Sequence, residues 1–321
     1  MTGDYTGGAV RIGLLSTANI SRVVLDARND DAPFDVVAVG SRELGRAEAY
    51  AREHGIERAH GSYDDLLADD GVDAVYIALP NALHHEWTMR ALAAGKHVLC
   101  EKPYTRRPEQ VDEAWDEAGR HGLVLTEGFM WRHGAQTRLA LDLLPRIGEL
   151  QAIRAAFSFR MTREVDVRLQ AAIGGGSVYD VGCYCISGVR LLAGREPERA
   201  YAERAMRDGV DWRFTGMLRF GDVVATFHAG FTADHQQLEA IGSDGTLTIP
   251  RPFTQPTGVV VVNGEEMRVE PGNPYRAELD DFCAAIRGER KPLLGRSDMA
   301  GQAKALDALL RSAESGLAVA L

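Results

Sequence analysis

Residues 1–126 alternate between short apolar runs and stretches whose apolar residues recur at helical spacing. Apolar runs of this kind are typical of strands buried on both faces, and the amphipathic stretches are typical of helices that cover them. The predicted strands are Ala9–Leu15, Asp35–Gly40, Val72–Leu79, His97–Cys100 and Leu123–Thr126, and the predicted helices are Ile20–Arg28, Gly45–His54, Ala82–Ala94 and Pro108–His121. Strands that alternate with helices form a doubly wound parallel sheet, whose ligand lies beyond the carboxyl ends of the strands.

Residues 127–321 follow a different pattern, because short segments rich in β-forming residues replace the alternation. Turns such as Phe220–Asp222 and Ser243–Gly245 separate these segments, which indicates hairpins. We therefore predict an α/β chain of two domains. The second, residues 127–321, is of the α+β class with a large, mostly antiparallel open sheet and a C-terminal helix over residues 298–315.

Composition argues against several binding partners and cellular locations. With 36 Lys and Arg against 46 Asp and Glu, the net charge is −10, so we expect neither nucleic acid nor an anionic membrane surface as a partner. No stretch of about twenty apolar residues predicts a membrane-spanning helix, and the N-terminus lacks the features of a signal peptide. Four scattered cysteines fit neither a disulfide framework nor a zinc site. We therefore expect a soluble cytoplasmic protein with reduced thiols and no metal.

The turn after the first predicted strand has the small side chains of a dinucleotide-binding loop. In the common G-x-G-x-x-G pattern the glycines would fall at Ser16, Ala18 and Ser21, which are small but not glycine. Small residues there let the backbone approach a pyrophosphate at the start of the following helix. An ordinary strand–helix turn explains the same residues equally well, so this loop alone leaves both interpretations open.

Two ionisable residues and a proline, Glu101, Lys102 and Pro103, directly follow the predicted strand His97–Cys100. A solvated ion pair before a turn is the commonest role of such residues. A lysine at this edge of the sheet can also lie beside a cationic nicotinamide, which would lower its pKa toward the working range of an acid–base group. Taken alone, the segment favours the structural interpretation.

Three glycines, Gly174–Gly176, precede Ser177, Asp180 and Tyr184. A helix that begins here would be capped by Ser177, and Asp180 and Tyr184 would share one of its faces. In the structural interpretation Asp180 is a capping partner and Tyr184 an interface residue. In the catalytic interpretation both face a substrate, and this segment alone favours the structural one.

The three segments occur together in one order, with further matches between them. These matches are the small-residue turn, Pro80-Asn81-x-x-His84, Ala94–Val98 with Glu101-Lys102-Pro103, the glycine run with Asp180 and Tyr184, and Gly242-Ser243-x-Gly245-Thr246. From about Val10 to the C-terminus, the chain resembles the glucose–fructose oxidoreductase, inositol dehydrogenase and MocA family. The resemblance implies that residues 1–126 are a Rossmann domain for NAD or NADP. It implies that residues 127–321 bind the substrate and mediate oligomerisation.

The resemblance also implies roles for individual residues. Lys102 takes the position of the family's catalytic lysine, and its peptide bond to Pro103 is expected to be cis. The inositol dehydrogenase branch has a histidine four residues after its aspartate, whereas this chain has Tyr184 four residues after Asp180. It is therefore similar to the dihydrodiol dehydrogenase, xylose dehydrogenase and sugar-ketoreductase branch, whose proton donor is the tyrosine. The absence of glycine at positions 16 and 18 departs from the family pattern and leaves the pyrophosphate contacts open.

The end of the second predicted strand indicates NADP rather than NAD. An NAD enzyme places an acid here on the ribose 2′-hydroxyl, whereas this chain has Ser41 followed by Arg42, which can pair with a 2′-phosphate. The alternative is that Glu43 takes the place of the acid and Arg42 is solvated. The residues predicted to contact the cofactor are Ser16, Thr17, Ala18, Asn19, Ile20, Ser41, Arg42, Arg46, Leu79, Pro80, Asn81, His84, Glu101, Lys102 and Arg132.

The predicted activity is hydride transfer between the nicotinamide of NADP and a carbinol or ketone carbon of a sugar. Tyr184 is the predicted general acid and base, and Lys102 lowers the pKa of that phenol or binds the substrate oxygen. Asp180 orients the substrate or the lysine. An aldose 1-dehydrogenase or a trans-dihydrodiol dehydrogenase is the alternative among enzymes. A non-enzymatic NADP-sensing regulator is the alternative from another class.

Three residues are predicted to contact the substrate: His133, Arg160 and Arg168. With Arg163, these arginines favour a nucleotide-linked keto sugar, because arginines bind phosphates. A homodimer or homotetramer through the C-terminal sheet is also expected, since helices on one face would leave the other face open.

Overall fold

The computed structural model describes residues 8–321, which form two compact units. One unit extends to Met130 and includes Tyr275–Ala300, and the other consists of Trp131–Pro274 and Gly301–Leu321. No helix within residues 8–321 is long and apolar enough to cross a membrane.

The first unit contains the predicted alternation of strands and helices. Its elements are β1 (Val10–Leu15), α1 (Ser21–Asp26), β2 (Phe34–Gly40), α2 (Leu44–His54), β3 (Arg58–His60), α3 (Tyr63–Leu67), β4 (Ala74–Ile77), α4 (His84–Ala93), β5 (His97–Glu101), α5 (Pro108–His121) and β6 (Leu125–Gly128). Within the described residues, the six strands pair in parallel in the order β3-β2-β1-β4-β5-β6. The order reverses between β1 and β4, so a crevice for a ligand is expected at their carboxyl ends.

Local signals explain why these helices could be predicted. The helix α5 begins at Pro108, whose missing N–H costs nothing in a first turn, and it ends at Gly122 in the left-handed region with φ 65°. Gly55 ends α2 in the same way, with φ 66°. The strand β3 and the helix α3, which follow α2, were not predicted, because β3 has only three residues without an apolar pattern and α3 has only five.

The second unit is built on a sheet of nine strands within the described residues. The elements of this part of the chain are α6 (Ala135–Leu143), β7 (Leu150–Ser158), α7 (Cys183–Ala193), β8 (Arg199–Arg207), β9 (Val210–Phe220), β10 (Val223–Gly230), β11 (His235–Gly242), β12 (Gly245–Pro250), β13 (Val259–Val262), β14 (Glu265–Arg268) and β15 (Val319–Ala320). The strand order is β14-β13-β12-β11-β7-β10-β9-β8-β15. Among these pairings only β7–β10 is parallel, which agrees with the predicted mostly antiparallel sheet.

The division of the chain differs from the expected split into residues 1–126 and 127–321. A later segment, Tyr275–Ala300, returns to the first unit. It carries most of α8 (Pro274–Ile286), which places Leu279, Phe282 and Ile286 in the same core as β1 and β2. Burial of these apolar side chains explains the return, and the sequence pattern gave no sign of which sheet they would cover. The last helix, α9, spans Arg296–Ser315, close to the predicted 298–315.

Candidate functional site

The turn after β1 adopts a backbone conformation that glycine normally provides. Ser16 has φ 127°, which is strained for a residue with a side chain and typically costs about 1–3 kcal/mol. Its hydroxyl donates to the Ala78 carbonyl oxygen at 2.9 Å and lies 3.3 Å from the Ala18 amide nitrogen, which holds the turn in place. Ser16 therefore occupies the position of the first glycine in conformation as well as in sequence. Thr17, Ala18 and Ile20 are half-buried, and Asn19 is exposed.

The carboxyl end of β2 carries the predicted phosphate-binding residues. The Ser41 amide donates to the His60 carbonyl oxygen at 3.0 Å, which joins the loops after β2 and β3. Arg42 and Arg46 are exposed, and within residues 8–321 neither guanidinium makes an ion pair or a hydrogen bond. Glu43, the alternative ribose acid, lies at the N-cap of α2 without a side-chain capping bond.

Glu101, at the end of β5, anchors the segment that contains Lys102. The Tyr76 hydroxyl donates to Glu101 Oε1 at 2.5 Å, and the Lys102 amide donates to Glu101 Oε2 at 3.3 Å. Burial and the charge of Glu101 raise the pKa of Tyr76 well above its usual value, so this phenol keeps its proton. The Lys102–Pro103 peptide bond is cis, as expected. Just beyond it, the Tyr104 amide donates to Glu127 Oε1 at 2.6 Å.

His84, a predicted cofactor contact, has both ring nitrogens within hydrogen-bond distance of backbone carbonyls. Its side chain is completely buried, with Nδ1 2.9 Å from the Pro103 carbonyl oxygen and Nε2 2.8 Å from the Leu79 carbonyl oxygen. Burial lowers the pKa of His84 to about 4, although both carbonyls oppose the shift. His84 thus connects the loop after β4, which also contains Pro80 and Asn81, to the segment of Lys102.

In the second unit, the glycine run is fixed by a buried carboxylate that sequence analysis did not find. The Ser177 hydroxyl and the Val178 amide both donate to Asp211 Oδ2 at 2.7 Å. Gly176 has φ 127°, and a Cβ there would lie 2.2 Å from Asp211 Oδ1, so only glycine fits. Asp211 is 34 residues from Ser177 along the chain, and no local pattern links the two.

The helix after the glycine run begins differently from the prediction. Ser177 has helical backbone angles and makes no side-chain capping bond, so the predicted capping by its hydroxyl is wrong. Val178–Gly182 forms a π-helical turn before α7 starts at Cys183. Such turns are frequent at functional sites.

Asp180 is paired with one of the predicted substrate residues. Arg168 Nε donates to Asp180 Oδ2 at 2.7 Å, and Arg168 Nη1 lies 3.2 Å from Asp166 Oδ1. Arg163 lies 3.6 Å from the other oxygen of Asp166. Arg160 has an exposed side chain, and its backbone amide donates to Asp234 Oδ1 at 3.3 Å.

Tyr184 is nearly buried, with 6% of its surface exposed. Its ring meets Phe157 edge to face with centroids 5.4 Å apart and lies 5.7 Å from the Phe253 ring. Aromatic contacts at these distances are favourable and hold the phenol in one orientation. A rigid phenol is what a general acid requires, since its proton must be delivered along a fixed direction.

Arg132 and His133 lie in a short 3₁₀ turn, Met130–His133, before α6. Arg132 Nη1 donates to the Ser187 hydroxyl at 3.3 Å, and its guanidinium lies 5.9 Å from the Trp131 ring centre. His133 is buried, with 5% exposed. The predicted site residues therefore divide between the units. The first holds those before Met130, and the second holds Arg132, His133, Arg160, Arg168, Asp180 and Tyr184.

Comparison with known families identifies the chain. The model of the GFO_IDH_MocA oxidoreductase family, with its NAD-binding Rossmann fold, matches residues 10–129. The model of the C-terminal domain of the same family matches residues 145–248. The chain therefore belongs to this family of oxidoreductases, and the resemblance drawn from its motifs is confirmed, as is the predicted pairing of a Rossmann domain with an antiparallel sheet.

Individual relatives carry names that agree with the predicted activity. The chain is 36% identical to D-xylose 1-dehydrogenase (NADP(+)) 2 of Haloferax volcanii, over 96% of this chain and 99% of that protein. It is 32% identical to a dTDP-3,4-didehydro-2,6-dideoxy-α-D-glucose 3-reductase of Actinomadura kijaniata, over 96% and 97%. A crystal structure of a 3-ketoreductase from the same organism with NADP and TDP-benzene superposes with a TM-score of 0.88, at 32% identity, over 95% of this chain and 98% of that one.

Proposed function

We propose that this protein is an NADP-dependent oxidoreductase that moves a hydride between the nicotinamide and a carbinol or keto carbon of a sugar. The observation that carries the proposal is the segment around Lys102, at the carboxyl end of a parallel sheet. Glu101, His84 and Glu127 fix the backbone on both sides of this lysine. A structural lysine has no need of such support, whereas a catalytic one must be placed precisely.

The residues of the first unit fit NADP. Ser16 holds the turn after β1 in the conformation that brings a backbone close to a pyrophosphate. Arg42 and Arg46 follow β2 beside Ser41. Their guanidiniums have no ion-pair partner among the described residues. Guanidiniums that no acid neutralises can bind a 2′-phosphate through charge-assisted hydrogen bonds, whereas a neutral ribose hydroxyl gains little from them. We therefore assign this set, with Thr17–Ile20 and Leu79–Asn81, to the cofactor.

Each catalytic residue has a distinct role in the proposed mechanism. When bound, the nicotinamide supplies or accepts the hydride. Tyr184 donates a proton to the substrate oxygen during reduction and removes it during oxidation, because its ring is held rigid and its hydroxyl can act as acid and base. Lys102, as a cation, stabilises the negative charge that develops on that oxygen. Asp180, oriented by Arg168, accepts a hydrogen bond from a neighbouring sugar hydroxyl.

Contrary to the expectation from the sequence, two of the three arginines before the glycine run, Arg163 and Arg168, favour a free sugar over a nucleotide-linked one. Arg163 and Arg168 are both engaged by Asp166, and Arg168 is also engaged by Asp180. Guanidiniums already neutralised by carboxylates bind a diphosphate weakly, since the acids repel it. An aldose with a free carbinol is therefore the favoured substrate, which agrees with the name of the Haloferax relative.

The proposal also includes two properties of the whole protein. The chain self-associates through the nine-stranded sheet, and it resides in a reducing compartment. Along β9 and β10, buried and exposed side chains alternate, and the exposed ones include Met217 and Val224. Apolar side chains on an open sheet face are usually covered by a second copy, which supports a homodimer or homotetramer. The four cysteines are buried free thiols, which supports the cytoplasm as location.

A panel assay tests the function. The purified chain is incubated with NADP or NADPH and, in parallel, with NAD or NADH, against free aldoses, polyols and nucleotide-linked keto sugars. Nicotinamide absorbance should change with NADP and a free aldose, at a kcat/KM above that of nucleotide-linked sugars. Absence of turnover with every substrate, while NADP still binds, would support a cofactor-sensing regulator instead.

A further inference from the structure

Tyr63 lies at the carboxyl end of the parallel sheet, close to the end of β2. A Cβ on Gly40 would lie 3.3 Å from Tyr63 Cδ1, so the ring packs directly over this glycine. The Trp87 ring meets the Tyr63 ring edge to face, with centroids 5.0 Å apart. Ser62 caps the following helix by accepting the Asp65 amide at 3.0 Å. These contacts set the position of the Tyr63 ring independently of any ligand.

The charges of Arg42 and Arg46 both act on the Tyr63 side chain. Burial raises the pKa of Tyr63, and the two guanidiniums partly oppose that rise. The hydroxyl therefore carries its proton at neutral pH and can donate a hydrogen bond. Within residues 8–321 the Tyr63 hydroxyl makes no hydrogen bond, just as Arg42 and Arg46 have no anionic partner. Three donors near the carboxyl end of β2 thus lack an acceptor from the described chain.

One acidic residue next to this cluster, Asp64, is already neutralised. Asp64 follows Tyr63 along the chain, and both its oxygens lie 3.1 Å from Arg90 Nη1. The Arg90 guanidinium also lies 4.7 Å from the ring centre of Trp87. An anion beside Tyr63 therefore meets two uncompensated cations and little repulsion from Asp64.

We propose that the Tyr63 hydroxyl, together with Arg42 and Arg46, binds the 2′-phosphate of NADP and is a determinant of the choice of NADP over NAD. This inference rests on the proposed function, because it takes NADP as the cofactor. A phosphate has three oxygens to satisfy, so a directional neutral donor complements two cations. In NAD the same place holds a neutral ribose hydroxyl, which leaves the guanidiniums without a counter-charge.

Calorimetric titration with two nucleotide fragments tests the role without any turnover. Adenosine 2′,5′-bisphosphate carries the 2′-phosphate and ADP lacks it. Tyr63→Phe should weaken binding of the bisphosphate on the order of tenfold, as expected for one lost hydrogen bond to a charged group, and leave ADP binding unchanged. The Phe ring keeps the packing over Gly40, so the fold is retained. Tyr50→Phe is the matched control, because the Tyr50 hydroxyl is buried without a hydrogen-bond partner, and it should change neither affinity.

The arginine variant separates two kinds of failure. Arg42→Ala should weaken the bisphosphate and spare ADP. If it weakens neither fragment, the phosphate site of the proposed function is itself wrong. If Arg42→Ala has the expected effect but Tyr63→Phe has none, or Tyr63→Phe weakens both fragments equally, the phosphate site stands and the role of Tyr63 is overturned.

Discussion

Arg168 Nε donates to Asp180 Oδ2 across 2.7 Å, which joins a predicted substrate residue to a predicted catalytic one. Asp166 secures the other side of the guanidinium: its Oδ1 accepts from Arg168 Nη1 at 3.2 Å and from the Arg168 amide at 3.0 Å. The arginine is therefore held between two acids, and Asp180 is oriented by it. In the proposed mechanism Arg168 is a positioning residue that acts through Asp180.

The pairing predicts that Arg168 and Asp180 are energetically coupled. Arg168→Ala and Asp180→Asn should each lower kcat/KM by about ten- to a hundredfold, and the double variant should lose little more, because both changes remove the same oriented carboxylate. Arg163→Ala is the control. Arg163 is exposed, and its contact with Asp166 is long, at 3.6 Å, so its loss should leave Asp180 oriented. Losses that multiply in the double variant would show that the two residues act independently.

Much of the first unit could be predicted because its signals are local. Apolar runs, Pro108 at the start of α5 and Gly55 at the end of α2 each act within a few residues, so one sequence suffices to read them. The return of α8 to the first unit could not be predicted, since its apolar residues fit either core equally well. Pattern alone does not tell which partner a helix will cover.

The candidate site shows the same limit. Lys102, Asp180 and Tyr184 stand out through motif order, whereas Asp211 and Tyr76 became visible only through contacts across 34 and 25 residues. The π turn was missed because an insertion into a helical period leaves no mark in composition. Residues that are distant along the chain but contact a catalytic segment in the fold are therefore the site residues that cannot be predicted from sequence.

Backbone strain at Ser16 leads to a prediction about the dinucleotide turn. Ser16→Gly should preserve NADPH affinity and leave the unfolding temperature unchanged or slightly higher, because relief of about 1–3 kcal/mol of strain offsets the lost hydrogen bond to Ala78.

Ala18→Asp places a carboxylate in the same turn and should abolish NADPH binding in a folded protein, since the carboxylate repels the pyrophosphate. Fluorescence titration and thermal unfolding measure both variants. Unchanged affinity in Ala18→Asp would place the pyrophosphate elsewhere.

Two histidines, the buried His84 and the half-buried His97, predict acid instability. Burial lowers the pKa of His97 and of His84 to about 4 from 6.5, and His97 Nδ1 accepts the Val124 amide at 2.9 Å, which requires the neutral ring. The unfolded chain takes up these protons near pH 6.5 and the folded chain only near pH 4. The contribution of each neutral histidine to the free energy of unfolding is thus fully present above pH 6.5 and is lost as the pH falls toward 4. Between pH 7 and pH 5 the loss is about 2 kcal/mol for each histidine.

Denaturant unfolding at pH 7 and pH 5 checks this dependence. His97→Asn supplies an oxygen that can still accept from Val124 but does not titrate, so the drop in unfolding free energy should shrink by about 2 kcal/mol. His121→Asn, at an exposed position, should leave the drop as in the wild type. An equal drop in His97→Asn would assign the acid sensitivity to other groups.

Turnover of Tyr184→Phe measures the central claim most directly. The wild type and this variant are compared in NADP-dependent oxidation of the best aldose from the panel, with Tyr201→Phe as control because Tyr201 pairs with Glu203 on β8 in the same unit. Tyr184→Phe should lower kcat by about a hundred- to ten-thousandfold, with NADPH affinity and the Tyr201→Phe rate unchanged, since only the acid–base proton is lost. Equal turnover in Tyr184→Phe and wild type would contradict the mechanism and remove this tyrosine from the proton transfer.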